Sequence, residues 1–226
     1  LIIICLVFAF PNTYGAADTL KPEAEFKIRA WRAPFESIES LLKSPVKIEM
    51  NLRSWKHDNQ KIIRSETDIH AIYPYPVEFF VDELLNFENT ESIYPRVKES
   101  FVEYASNDRF GKHSLFVHMG VEVLGFGADY TYVTDNWMEH AQKGYVQKYR
   151  LNRSPDGMLY QLLGSWYIEE IMHKGEPHTY IRNYAIIGIQ QGTLPMELAM
   201  KAFGLWQLKQ IFKNLSASVE TRYSKR

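Results

Sequence analysis

The sequence predicts an α+β fold in which a curved antiparallel sheet wraps around one long C-terminal helix. Three observations predict it. Between residues 62 and 189, short alternating runs recur, each bounded by Gly, Pro or Asp, which is how antiparallel strands joined by hairpins read. From Leu194 to about Glu220 the pattern turns helical and is longer than any other in the chain. The composition fits one well-buried core: 226 residues, 46% hydrophobic and 14% aromatic, are few for two full domains.

Taken in order, Phe35 to Lys43 carries Phe35, Ile38, Leu41 and Leu42 at helical spacing. Val46 to Trp55 alternates Val46, Ile48, Met50 and Leu52 against Lys47, Glu49, Asn51 and Arg53, a half-buried strand ending in the polar turn Lys56 to Gln60. Residues 18–61 therefore read as an N-terminal extension leaning on a main domain at 62–220, with a polar tail at 221–226. Ile62 to Ala71 alternates weakly and stops at Tyr73-Pro74-Tyr75-Pro76, where neither proline can donate to a ladder. Val77 to Phe87 places Phe80, Leu84 and Phe87 on one helical stripe, and a second short helix is expected at Asn89 to Ile93.

Six strands are expected next, at Arg96–Tyr104, Lys112–Leu124, Gly127–Asn136, Gly144–Leu151, Met158–Glu169 and His178–Ile189. Gly125, Pro155-Asp156-Gly157 and Lys174-Gly175-Glu176-Pro177 supply turn chemistry between them. In the final helix Pro195 sits in the first turn, where its missing N–H is harmless. Leu198, Leu205, Phe212 and Val219 recur every seven residues, and Phe203, Trp206 and Ile211 widen the stripe. Burial on more than one side is expected.

The order of these elements, with several short motifs, resembles the START-like (SRPBCC) superfamily and its helix-grip fold. Ile69-His70-Ala71-Ile72-Tyr73-Pro74-Tyr75-Pro76-Val77-Glu78-Phe79-Phe80 is similar to that family's first strand and its entry into the first helix. Leu85-Asn86-Phe87-Glu88 and Tyr94-Pro95-Arg96-Val97-Lys98-Glu99-Ser100 resemble the exit from the second helix into strand two. Gly164-Ser165-Trp166 resembles the family's Gly-x-Trp strand, and Thr179-Tyr180-Ile181-Arg182-Asn183-Tyr184 the stretch that closes the sheet. Leu194-Pro195 opens the last helix as in the polyketide cyclase and coenzyme-Q-binding branches. The resemblance implies a pocket for a hydrophobic ligand between sheet and helix. It implies no single activity, because the fold hosts transfer proteins, cyclases, hydroxylase partners and binding modules.

Lys plus Arg total 26 against 27 Asp plus Glu, interspersed along the chain, so no nucleic-acid partner is expected. The expected partner is a hydrophobic small molecule or lipid, with transient membrane contact, and no cofactor. Residues 1–17 open with LIIICLVFAF and continue through Pro11 to Gly15-Ala16-Ala17, reading as the apolar core and cleavage zone of a secretory signal peptide. The run is shorter than the roughly 20 residues that span a bilayer. An uncleaved anchor is the alternative, while Ile4 before Cys5 argues against lipidation. A periplasmic or secreted location is expected. Cys5 is the sole cysteine, so a chain without residues 1–17 has neither disulfide nor thiol nucleophile.

No Gly-rich phosphate loop, serine elbow or zinc-protease motif appears. His113 and His118 fall on opposite faces of one strand, as do Glu169 and Glu170, and His173 and His178 flank a turn. Strand alternation groups Tyr180, Arg182, Tyr184 and Ile186, then Tyr160, Leu162, Gly164, Trp166 and Ile168, then Ala128, Tyr130 and Tyr132. Faces that are apolar with a few polar tips suit a small-ligand site, although plain core packing gives the same pattern. The ligand-binding residues expected are Tyr130, Tyr132, Tyr160, Trp166, Arg182 and Tyr184 on strands, with Phe203 and Leu205 on the helix. If inward-facing, Arg182 needs an anion or carbonyl to offset its desolvation. A cyclase or aromatase using the same pocket is the alternative, with Arg182, Tyr184 and Tyr130 moving protons.

Overall fold

Strands that alternate apolar and polar residues bury one face, and a sheet of them must curl around something apolar to do so. The computed structural model of the chain describes residues 38–57, 59–123, 126–190 and 194–225, without the side chains of 121–123, 126–128, 194 and 195. Residues 1–17, Phe35, Gly125 and the Ala128 side chain lie outside what is described.

The elements are α1 (Ile38–Lys43), β1 (Val46–His57), β2 (Gln60–Tyr73), α2 (Val77–Leu84), a 3-10 turn (Phe87–Asn89) and α3 (Thr90–Ile93). There follow β3 (Val97–Ala105), β4 (His113–Val123), β5 (Phe126–Ala141), β6 (Gly144–Arg153), β7 (Leu159–His173), β8 (Glu176–Ile189) and α4 (Leu194–Tyr223). One eight-stranded antiparallel sheet runs in the order β1-β2-β8-β7-β6-β5-β4-β3. Only the β2–β8 pairing joins strands distant in sequence. The short helices carry the chain from β2 to the far edge, and the meander then returns it. This is the α+β helix-grip architecture, with the sheet curved over α4.

Several strands run longer than expected, β5 and β7 most clearly at their C-terminal ends. Trp137 to Ala141 extends β5 and pairs with β6 across a tight turn closed by Gly144 at φ 122°, a conformation that favours glycine. Residues 46–57, read as part of an extension, form an edge strand whose register with β2 runs from Val46↔Ala71 to His57↔Gln60. The boundary drawn at residue 62 thus cuts through a continuous hairpin.

Helix α2 buries Val77, Phe79, Phe80, Val81, Glu83 and Leu84, more than one stripe, because it lies between the sheet and α4. Phe80 stacks on Tyr73 at 5.5 Å, and the Tyr73 hydroxyl donates to the Phe212 carbonyl of α4 at 3.1 Å. Phe212, Leu215 and Val219 are fully buried in the same core as Phe80, Trp166 and Ile181.

The seven-residue stripe of α4 does not stay inside. Phe212 and Val219 are buried, whereas Leu198 and Leu205 are 56% and 43% exposed. In the first half the inward line instead runs through Met196, Met200, Gly204, Leu208 and Ile211. Four-residue steps carry a buried line around a helix that turns every 3.6 residues, so a strict heptad does not mark it.

Truncating Phe212→Ala should cost about 3–5 kcal/mol, whereas Leu205→Ala should stay within about 0.5 kcal/mol. Urea unfolding of the two variants checks the asymmetry along α4.

Candidate functional site

The second half of α4 packs on the central strands through Phe212, while the first half leans on the β1–β2 edge at Met50 and through the Glu197–Lys61 ion pair, and a cavity of about 290 Å³ lies between it and the other strands. That volume is at the small end of the range for small-molecule sites, roughly 300–1,000 Å³. Strand register lays out its floor in transverse rows. Gln147, Trp166, Asn183 and Ile69 form one row across β6, β7, β8 and β2. The next row is Asn136, Tyr149, Gly164, Ala185, Thr67 and Met50, across β5 to β1. Beyond it lie Leu162, Ile187 and Ser65, then Leu159 beside Ile189. Met196, Ala199 and Met200 of α4 close the apolar end, and Met119, Leu115 and Val117 of β4 form a side wall.

The expected site residues divide. Tyr130, Tyr132 and Trp166 line this cavity. Tyr130 and Tyr132 stack at 6.1 Å, and both hydroxyls donate to the Met119 sulfur, at 3.5 and 3.4 Å. Trp166 packs against Phe212 at 5.3 Å and hydrogen-bonds the Tyr94 hydroxyl. Burial pushes Tyr94 and Tyr130 up to about 12 and also raises Tyr132 and Tyr149 well above the ordinary phenol value. All four are neutral phenols at physiological pH.

Tyr160, Arg182, Tyr184, Phe203 and Leu205 do not line the cavity. On β8 the inward phase is Asn183, Ala185, Ile187 and Ile189, so Arg182 and Tyr184 point to the convex face. There Arg182 donates to both oxygens of Asp68, Nε at 2.9 Å and Nη2 at 2.8 Å, the bidentate geometry a guanidinium prefers. The Tyr184 hydroxyl donates to Glu66 at 2.7 Å, and the His70 Nδ1 meets the Tyr180 hydroxyl at 2.8 Å. Leu41 of α1 covers Ile72, Tyr167, Ile171 and Tyr180 beside them. The anion that an inward Arg182 required is therefore Asp68, on the other face.

Tyr160 leaves its expected phase because β7 bulges between Leu159 and Gln161, one residue too many against β8. Its ring lies over Gly188, where a Cβ would collide with it. Phe203 and Leu205 face outward, 38% and 43% exposed, for the reason given for the α4 heptad.

Sequence reasoning missed Asn136, Gln147, Tyr149 and Asn183 as lining residues. On β8 both faces are buried, so alternation there carries no sign of which phase is inside, whereas on β6 the charged Lys148 and Arg150 alternate with Gln147 and Tyr149 and mark the inward phase. A usable signal was Gly164: a Cβ there would overlap the Tyr149 hydroxyl and the Tyr184 carbonyl, so the glycine admits Tyr149 over the sheet. Among the described residues no three His, Cys, Asp or Glu side chains converge as a metal site would need.

No family model matches the chain, and no curated protein matches it. Solved structures do. A STAR-related lipid transfer protein fragment from Xanthomonas axonopodis aligns with a TM-score of 0.52 at 13% identity, covering 76% of this chain and 98% of that one. The Zhui aromatase/cyclase from Streptomyces sp. R1128 aligns at 0.53 and 12% identity, over 71% and 96%. Human STARD10 aligns at 0.51 and 12% identity, over 77% and 76%. The fold is that of the START-like superfamily, and lipid-transfer and cyclase structures share it equally.

Replacing Arg182→Met leaves the Asp68 carboxylate buried without its guanidinium and should cost about 3–5 kcal/mol. Uptake of a hydrophobic fluorophore per folded molecule should not change. Denaturation and a binding titration on the same sample separate the two.

Proposed function

We propose that this chain is an exported START-like domain that binds or transfers a hydrophobic, lipid-like ligand. The observation that carries this reading is the cavity between sheet and α4, walled by Leu, Ile, Met and Tyr side chains with a few amide and hydroxyl tips. Water gains little in such a space, and an apolar ligand gains its full transfer energy, about 25 cal/mol per Å² buried. The structural likeness to a STAR-related lipid transfer protein supports the ligand class. Export is supported by the apolar run and small residues of 1–17, which favour a periplasmic or secreted location.

Contact with a membrane is part of the proposal. On α4, Leu198, Phe203, Leu205 and Trp206 are all exposed, with Lys209 and Lys213 exposed one and two turns on. Apolar and aromatic side chains followed by lysines suit insertion at an anionic bilayer surface. Among the described residues no helix is long and apolar enough to cross a membrane, so α4 would lie on the surface.

The cyclase reading drew on Arg182, Tyr184 and Tyr130. The first two occupy the convex face, and Tyr130, held up at about 12, is a weak proton mover near neutral pH.

Native mass spectrometry of gently extracted protein should show a bound apolar adduct, and Ala185→Phe, which fills the cavity floor, should abolish it. Retained loading in that variant would sink the pocket assignment. The double variant Leu205→Ser/Trp206→Ser should lower retention on anionic vesicles several-fold while leaving loading in detergent unchanged, read by flotation.

A further inference from the structure

The polar groups of the cavity are not scattered. Gln147 and Asn183 share one transverse row and Asn136, Tyr149 and Thr67 the next, whereas the rows beyond carry Leu162, Ile187, Leu159 and Ile189 with Ser65 as their polar side chain. The Tyr130 and Tyr132 hydroxyls donate to the Met119 sulfur. The ligand space therefore has a polar end, beside α2, and an apolar end under the methionines of α4.

The chemistry of the polar end is set by how its amides are already used. Gln147 Nε2 donates to the Leu84 carbonyl at 2.9 Å, and Asn136 Nδ2 donates to the Thr134 carbonyl at 3.1 Å and its hydroxyl at 3.0 Å. Because a carbonyl accepts only from N–H, these contacts fix which amide atom is which. What remains is the carbonyl oxygen of each, without a partner among the described residues, yet not occluded. The polar end thus presents acceptors, with the Tyr149 and Thr67 hydroxyls beside them.

One charge borders it, and that charge is already paired. Among the described residues Glu83 is the only charged one lining the cavity, and it is fully engaged. Ser218 donates to Glu83 Oε1 at 2.8 Å, Asn89 donates to the same oxygen, and Arg222 Nη1 donates to Oε2 at 2.9 Å. The Arg96 guanidinium, near Tyr130, is met by the Gln207 carbonyl and does not line the cavity. An anionic head would lose its hydration here, find no cation and face carbonyl oxygens. The raised phenols around the space report the same penalty on negative charge.

We infer that the ligand is an uncharged amphiphile with a hydrogen-bond-donating head such as a hydroxyl, seated at Gln147 and Asn136, and that the site rejects carboxylates and phosphates. This rests on the pocket reading above and narrows it to one ligand class.

Displacement of the neutral fluorophore N-phenyl-1-naphthylamine from the whole chain tests it, using decan-1-ol and decanoate as matched competitors. At pH 8 decan-1-ol should compete at least about tenfold more tightly than decanoate. Between pH 8 and 6 the affinity for decanoate should rise about tenfold per unit, following its protonated fraction, while that for the alcohol stays level. The variants Gln147→Leu and Asn136→Leu should each lower the ratio of decan-1-ol to decanoate affinity at pH 8 about tenfold. Decanoate matching the alcohol at pH 8, or a decanoate affinity indifferent to pH, overturns the inference while leaving the pocket intact, and needs no variant to fold. Failure of the fluorophore and of both competitors to bind overturns the pocket reading as well.

Discussion

The contact on which the rest of this structure depends is the one between the second half of α4 and the sheet. Phe212 packs on Trp166, accepts from the Tyr73 hydroxyl through its carbonyl, and shares its core with Phe80 of α2. Glu83 ties α2 to the last turns of α4 through Ser218 and Arg222. Toward its N-terminal end the helix leans instead on the β1–β2 edge, through Met50 and the Glu197–Lys61 ion pair. The cavity is the volume left where contact with the central strands stops, so clamp and pocket are two consequences of one packing arrangement.

Charge is then divided between the two faces of the sheet. The convex face holds Asp68, Arg182, His70, Glu66 and Tyr184, all paired, while the concave face keeps amides, hydroxyls and sulfur. Alternation along β2 and β8 enforces that division, since each charged residue is followed by a neutral one of opposite direction. Removing a member of the convex network threatens stability, because a buried charge loses its partner. Changing a concave residue alters the shape and polarity of the cavity.

The START-like fold positions these features without dictating their use. Edge strand β1 adds Met50 to the lining and pairs along its whole length with β2. The same helix that roofs the cavity turns Leu198, Leu205 and Trp206 outward. Cavity and exposed apolar patch thus lie on opposite sides of one α4 segment.

The sequence by itself determined the element order, several turns and the approximate length of α4, because these depend on local signals such as Gly157, Pro76 and the change from period two to period 3.6. It also marked Tyr130, Tyr132 and Trp166, aromatic side chains that face the cavity. The direction of β8 was decided only by tertiary structure. Tyr180, Arg182 and Tyr184 alternate with Ile181, Asn183 and Ala185, both sets are buried, and nothing local distinguishes inside from outside. The bulge at Tyr160 and the outward turn of Leu205 were likewise settled by what packs against them. Local periodicity states that a face exists; which face encloses the cavity depends on the element that covers it.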